Sequence, residues 1–382
     1  MLVENWADFW WSDITGPSVV VSAVVNDLLS NANVVLQVPS DLPWRHSMRS
    51  TIQSEFRNRN LLRDIIIEVI DAVDDNPSAL EPGKLLLEEF ADDSIQRGYR
   101  EKSKISLQEY ICQKDILQNR IVWVKGLSGA SSVQWIQFCK GLSPKASEGG
   151  LFVLEIHGDA MLQETKKLRV VNYNQYISNY DVQLLNSFIL DSQKQLSDVW
   201  KRYISTVVAV VCNTDAEVSD ALLSTVDLTR VSITEALIQL AESADFERRG
   251  QDSSSEHILK YLRSGNSDEI ERRIWSAQVQ ILFPIIELER VNIVSNYQSA
   301  IKSALEDEPT SQYGKKLSDP IEVELGTLCY LMTQRKKENL YSLYIPDETD
   351  RNRIRFLHEC RNRLAHAESC TLEQVTTLLS IY

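Results

Sequence analysis

The chain has 382 residues, with 40 Lys+Arg against 54 Asp+Glu and a formal charge of −14. That acidic surplus excludes a general nucleic-acid coat, whose affinity would come from neutralising phosphates over a broad cationic surface, so any nucleic-acid contact has to be local. At 43% hydrophobic and 25% charged residues the composition is that of a globular protein, and about 150 residues per domain predicts two or three domains.

In chain order, the N-terminus places Glu4, Asp8 and Asp13 among Trp6, Trp10 and Trp11, where a secretory signal would carry a basic start and an apolar run. No signal peptide is expected. Trp6 and Trp10 have helical spacing and are expected to cover the core or a partner. Five nearly continuous apolar runs follow, at 33–38, 65–70, 120–124, 151–156 and 168–172. Such runs are expected of strands buried on both faces of a parallel sheet, and the helical patterns over 44–57 and 131–140 between them give β-α-β units. Residues 1–182 are therefore expected to form a three-layer α/β domain.

After Tyr180 long amphipathic patterns take over. The polar stretch from Glu247 to Ser255 predicts a linker, dividing a helical middle region (183–252) from a C-terminal helical domain (253–382). A long helix is expected from 268 to 305, broken or kinked at Pro284, followed by helices over 320–335, 350–367 and 372–382. The longest apolar stretch after the sheet region, 207–212, is far shorter than the roughly 20 residues that span a bilayer, so no membrane segment is expected. Six cysteines (112, 139, 212, 329, 360, 370) contain no C-x-x-C pair. They suggest neither a zinc site nor a disulfide framework, and point to a reducing cytoplasm.

The run 33–38 leads into Pro39-Ser-Asp-Leu-Pro-Trp44-Arg45-His46-Ser47 and then a helix. This is the position of a phosphate-binding G-x-x-x-x-G-K-[ST] loop, but Pro39 and Trp44 stand at its glycines, Arg45 at its lysine and His46 at its hydroxyl residue. The run 120–124 continues into Lys125, a cation where the magnesium-binding carboxylate is needed. The five-strand plan resembles the core of P-loop ATPases, including the large signal-transduction group with helical appendages, without their active motifs. The resemblance implies a non-hydrolysing domain, with no nucleotide cofactor, that senses or binds a protein partner. Arg45 and Arg49, one turn apart, are expected to sit on the surface or to meet an acidic partner or phosphate. Asp159 stands where such domains carry a polar sensor, or is a turn residue; His46, His157 and His257 are expected to be surface or structural.

Near the C-terminus, Arg361-Asn-Arg-Leu-Ala-His366 matches R-N-x-x-x-H. From Arg351 to Arg363 there are five arginines and one acid, Glu359, a local charge of +4. The motif, in a terminal helical context, resembles the HEPN superfamily of helical bundles, many of which are metal-independent ribonucleases in toxins and antiviral effectors. The fold class expected is thus a parallel α/β domain lacking phosphate-loop motifs, followed by an all-α region ending in a HEPN-type bundle. The resemblance implies that Arg361 clamps the phosphate, His366 acts as acid or base, and Asn362 orients the imidazole or contacts RNA. Arg351, Arg355, His358 and Arg363 are expected to bind RNA. Histidine and arginine suit that chemistry, which moves two protons and builds phosphoryl charge. Arg361 and His366 lie about 140° apart on an ideal helix, so the expected nuclease is a homodimer that pairs motifs across a shared cleft. The alternative is a non-enzymatic scaffold using the bundle for dimerisation or docking.

Overall fold

The five apolar runs form one sheet. In the computed structural model, which describes residues 3, 5–60, 65–72, 81–100, 105–142, 150–158, 162–192, 196–251, 256–307, 317–335 and 340–380, they become β1 (Asn33–Val38), β2 (Ile66–Asp71), β3 (Arg120–Leu127), β4 (Leu151–His157) and β5 (Leu168–Asn172). Their order is β2-β3-β4-β1-β5, and every neighbouring pair is parallel. Parallel neighbours need crossover connections that cover both faces of the sheet. Accordingly Val34, Val35 and Leu36 of β1 and Phe152, Val153 and Leu154 of β4 are all fully buried. β2 at the edge is less covered, with Ile66 and Val69 exposed.

Successive side chains alternate between faces. Val35, Val122, Val124, Phe152 and Leu154 share a core with helices that follow the strands: Leu85 and Leu86 of α4 (Pro82–Phe90), Ile111 of α6 (Leu107–Gln113), and Trp135 and Phe138 of α7 (Gly129–Gly141). Short α5 (Asp93–Gly98) joins through Tyr110, whose hydroxyl donates to the Ile95 carbonyl at 2.7 Å. Leu36, Trp123, Val153 and Glu155 belong to the opposite face, which meets α3 (Arg45–Arg59). Packed on α3 are α1 (Trp6–Asp13) and α2 (Thr15–Leu29). Trp10 and Trp11 are fully buried there, their rings 6.4 Å from Trp44 and 6.1 Å from Tyr173. These tryptophans cover the protein's own core.

The chain divides into two compact units: Met1–Leu185 with Thr214–Val218, and Asn186–Asn213, Ser219–Gln251 and Glu256–Tyr382. The α/β unit is thus followed by helices alone. Helix α8 (Asn179–Ser192) crosses the division; α9 (Asp198–Cys212), most of α10 (Ala216–Thr225), α11 (Ile233–Ala241) and α12 (Ile258–Arg263) belong to the second unit. There α13 (Ser267–Asn296) is the central element, packed against α9, and against α16 (Glu348–Ala365) and α17 (Leu372–Leu379) after the shorter α14 (Gln298–Asp307) and α15 (Leu325–Thr333).

The break expected at Pro284 is not there. Proline removes one backbone donor and crowds the preceding turn, but Leu282 and Ile286 on either side are fully buried and the helix runs unbroken through it. The interruption falls instead at Tyr297, between α13 and α14. The helix expected over 320–335 is a 3₁₀ turn at Pro320–Glu322 followed by α15. The last helix ends at Leu379, and residues 381 and 382 lie outside the described set. No described helix is long and apolar enough to cross a membrane.

Candidate functional site

Two places gather chemistry-bearing side chains, one in each unit. In the α/β unit the strand order reverses around β1 and β4, and in open parallel sheets ligands bind beyond the strand ends at such a switch point. Here the loop from Pro39 to Trp44 runs from β1 into α3. Trp44, at the second glycine position, adopts a left-handed backbone (φ 43°), and its N–H donates to Glu217 Oε2 at 2.7 Å. A carboxylate at a helix N-terminus is stabilised by the free N–H groups and the helix dipole. Arg45, at the lysine position, donates from Nη1 to Glu155 Oε1 (2.9 Å) and to His157 Nε2 (2.6 Å). Its Nη2 donates to the carbonyls of Pro39 (3.2 Å) and Ser40 (3.0 Å).

Arg49, one turn on, grips Glu155 with both Nε (2.9 Å) and Nη2 (3.0 Å), and Trp123 Nε1 completes the set at 2.8 Å. Glu155 is fully buried. Burial would push its carboxyl up, but the hydrogen bond and charge of Arg49, the charge of Arg45 and the indole N–H of Trp123 outweigh that and hold it below the ordinary value. The acidic partner of Arg45 and Arg49 is therefore the chain's own sheet. Arg45 is not simply a surface residue, and His157 is tied into the same cluster. At the end of β3, Lys125 pairs with Asp71 of β2 at 2.7 Å, and no carboxylate stands at its own position. Asp159 lies outside the described residues. Of the remaining histidines, the ring of His257 accepts from the Leu259 N–H and caps α12.

The second place is the C-terminal end of α16. Helix α16 carries Arg361 and Asn362 in its last turn and stops at Ala365, so His366 is its C-cap, outside the regular helix. Its N–H still donates to the Asn362 carbonyl at 3.0 Å. Ala367 takes a positive φ of 62°, and the Glu368 N–H returns to the Arg363 carbonyl at 2.9 Å, the Schellman arrangement that satisfies orphan carbonyls. The turn is braced from behind by α13. Trp275 Nε1 donates to the Leu364 carbonyl (2.7 Å) and the Glu271 carboxylate accepts from the Ser369 N–H (2.9 Å). Buried Gln278 accepts from the Cys370 N–H (2.6 Å) and donates to the Cys370 carbonyl (3.1 Å) and the Tyr203 hydroxyl (3.0 Å). Such fully paired buried amides hold one geometry, because releasing them strands their partners without water.

On this braced end His366 is exposed and Arg361 half-buried. No hydrogen bond joins the two side chains. Arg361 reaches the exposed Glu324 carboxylate, just ahead of α15, at 3.4 Å. Asn362 turns to His358 and not to His366: its Nδ2 lies 3.0 Å from His358 Nε2, an amide donor meeting a ring lone pair. The His358 ring rests over Gly326 of α15, where a Cβ would come within 3.3 Å of Nε2. Burial first, and the charge of Arg361 second, lower the His358 pKa from its ordinary 6.5.

The five arginines do not form one cationic strip. Arg353 makes a two-pronged pair with Glu289 of α13 (2.6 and 2.7 Å). Arg351 donates to the carbonyls of Ile345 and Pro346 (2.6 and 2.8 Å), and Arg363 to the Ser369 carbonyl (2.9 Å) with Glu368 at 3.5 Å. These three build the fold. Exposed Arg355 bonds Asn352 (3.1 Å), and no described carboxylate pairs with it. The structure thus groups Arg355, His358, Arg361 and Asn362, leaves His366 as the exposed C-cap with no hydrogen bond to them from its ring, and adds Glu324, Gly326, Trp275 and Gln278. The sequence places Glu324 and Gly326 in a core helix and gives none of the four a role at this end. Gln278 alone carried a signal, as a polar residue beside Ala277 and among Ile274, Ile281 and Leu282 on a core face.

No protein-family model and no curated protein sequence matches the chain.

Glu155→Ala leaves two inward-pointing arginines without their carboxylate and is expected to lower unfolding stability by about 3 kcal/mol in urea titrations. Because the folded-state pKa is below the ordinary 4.5, Glu155 contributes its full stability above that value and loses it as pH falls toward the folded pKa. The wild-type protein is therefore expected to lose stability across that acid range more steeply than the variant. In NMR titrations His358 is expected to protonate below pH 6.5 and to move upward in Arg361→Ala; an unmoved midpoint would contradict the charge coupling.

Proposed function

We propose that the C-terminal helices act as a metal-independent endoribonuclease of the HEPN type, regulated by the α/β unit as a non-hydrolysing domain that receives a partner or trigger. The observation that carries this reading is the helix end itself. A reactive histidine and a guanidinium project from a turn that α13 fixes through Trp275, Gln278 and Glu271, while His366 is exposed and takes no part in that bracing.

In the proposed reaction the ribose 2′-hydroxyl loses its proton and its oxygen attacks the adjacent phosphorus. The bond from phosphorus to the 5′-oxygen breaks, and that oxygen gains a proton. His366 carries out one of these transfers, since an imidazole can serve as either acid or base. Arg361 swings from Glu324, an exposed and therefore weakly held partner, to the phosphoryl oxygens and stabilises their growing charge. Asn362, aligned by His358, contacts the RNA, and Arg355 meets a flanking phosphate. No hydrogen bond joins Arg361 and His366 within one copy, and in this reading motifs from two copies complete each site, which makes the active form a homodimer through these helices. An RNA-cutting protein held in check in this way suits a prokaryotic toxin or antiviral defence system.

The test is cleavage of labelled RNA in excess EDTA. The wild-type protein is expected to cut, and Arg361→Ala and His366→Ala each to slow cutting at least about 100-fold, the low end for losing an acid–base or oxyanion group. Cutting that survives both substitutions, or that EDTA abolishes, would overturn the reading. A full-length protein that dimerises but cuts no RNA, alone or when induced to toxic levels in cells, would favour the scaffold reading instead.

A further inference from the structure

Helix α15 runs antiparallel beside α16, as three contacts show. Glu324 meets Arg361, Gly326 meets His358, and Cys329 feels the charge of Arg355. Tyr330 follows Gly326 by four residues, so it lies on the same face of α15 one turn along, and it is 44% exposed. Beyond it the chain turns back. The Leu343 N–H donates to the Leu331 carbonyl at 3.0 Å and the Ser342 N–H to the Gln334 carbonyl at 2.9 Å. This return sets Tyr344 (66% exposed) and Tyr341 (44% exposed) beside the end of α15. The guanidinium of Arg335 lies 5.6 Å from the ring centre of Tyr341. The buried neighbours Ser342, Leu343 and Ile345 fix the backbone, so the rings are held outward on an ordered support.

Three exposed phenol rings lie at the Arg355 end of this face and Arg361 lies about 10 Å further along α16, which makes a surface with two kinds of partner built in. The arginines match phosphates, and the rings match flat, unpaired bases. A paired A-form helix hides its base faces inside the stack and offers the rings no surface to cover. A single strand carries a phosphate beside every base, and so answers the rings and the arginines together. We propose that the α15–α16 face is a binding track for single-stranded RNA, in which successive bases stack on Tyr330, Tyr344 and Tyr341 while Arg355 and Arg361 hold the phosphates that lead to the cutting position. This deepens the ribonuclease reading and rests on it: it makes unpaired RNA the substrate class.

Binding and cutting separate the two claims. The full-length His366→Ala protein, unable to cut, is titrated with a fluorescent uridylate strand of about 12 nucleotides and with an RNA duplex of the same length, by anisotropy. The strand is expected to bind more tightly than the duplex. Adding Tyr344→Ala or Tyr330→Ala is expected to weaken strand binding about tenfold each, Tyr344→Phe to keep it, and Arg355→Ala to weaken it and flatten its salt dependence. Strand and duplex binding alike, or strand binding unchanged by both tyrosine-to-alanine substitutions, would overturn the track. So would a Tyr344→Ala protein in which only the mass of the assembly changes, since the patch would then be a protein interface. Loss of cutting without change in this binding pattern would remove the ribonuclease reading and leave the track, while normal cutting with indifferent tyrosine variants would do the reverse.

Discussion

A carboxylate taken fully out of water must be compensated with charge and hydrogen bonds, and Glu155 is such a group. Four donors on three residues converge on its two oxygens: Arg45, both nitrogens of Arg49, and the Trp123 indole. Trp123 sits in register with Val153, two residues before Glu155 on the same face, so β3 and β4 place indole and carboxylate together before any helix is added. Helix α3 then has one rotation that brings both arginines inward. The loop ahead of it is fixed in turn by the grip of Arg45 on the Pro39 and Ser40 carbonyls. The cations at the mouth of the sheet are thus answered by the chain's own Glu155, and the first N–H of α3 by its own Glu217.

The helical unit solves a different problem. A helix end leaves carbonyls unpaired, and α16 ends against α13 with its last residue facing solvent. Trp275, Gln278 and Glu271 of α13 satisfy the backbone around that end, while the Arg353–Glu289 pair fixes α16 further up. The consequence is a braced platform that presents the exposed His366 ring beside Arg361, whose carboxylate partner Glu324 is itself exposed. Rigid support behind groups that are themselves solvent-facing is what acid–base and phosphate chemistry requires, since misplacement by an ångström loses much of the rate.

Much of this is legible in the residues. The five strands can be read because parallel strands buried on both faces are nearly continuous in apolar residues, and β1 and β5 begin and end where those runs do. The departure from a phosphate loop is legible at Pro39, Trp44 and Lys125. What the residues do not disclose is pairing across long separations: that Arg45 and Arg49 meet Glu155, over 100 positions on, or that the arginines of α16 are divided between structural partners and solvent. Charge counted along a helix gives a total, and only packing decides which charges are spent. Pro284 does not break α13 for a related reason, because burial of Leu282 and Ile286 outweighs a missing hydrogen bond. Helical spacing points Asn362 at His366; the helix stops one residue too soon for that, and the amide turns back to His358.

In the proposed nuclease the chemistry lies at the end of α16 and is divided between two copies, with Arg361 from one and His366 from the other. Mixing tests this most directly. Arg361→Ala and His366→Ala proteins, each inactive alone, are unfolded together, refolded and assayed on RNA in EDTA. A mixed dimer restores one intact site, so the mixture is expected to regain activity that neither parent shows. A mixture as inactive as its parents, beside a wild-type protein that survives the same treatment and cuts, would contradict a site shared between copies.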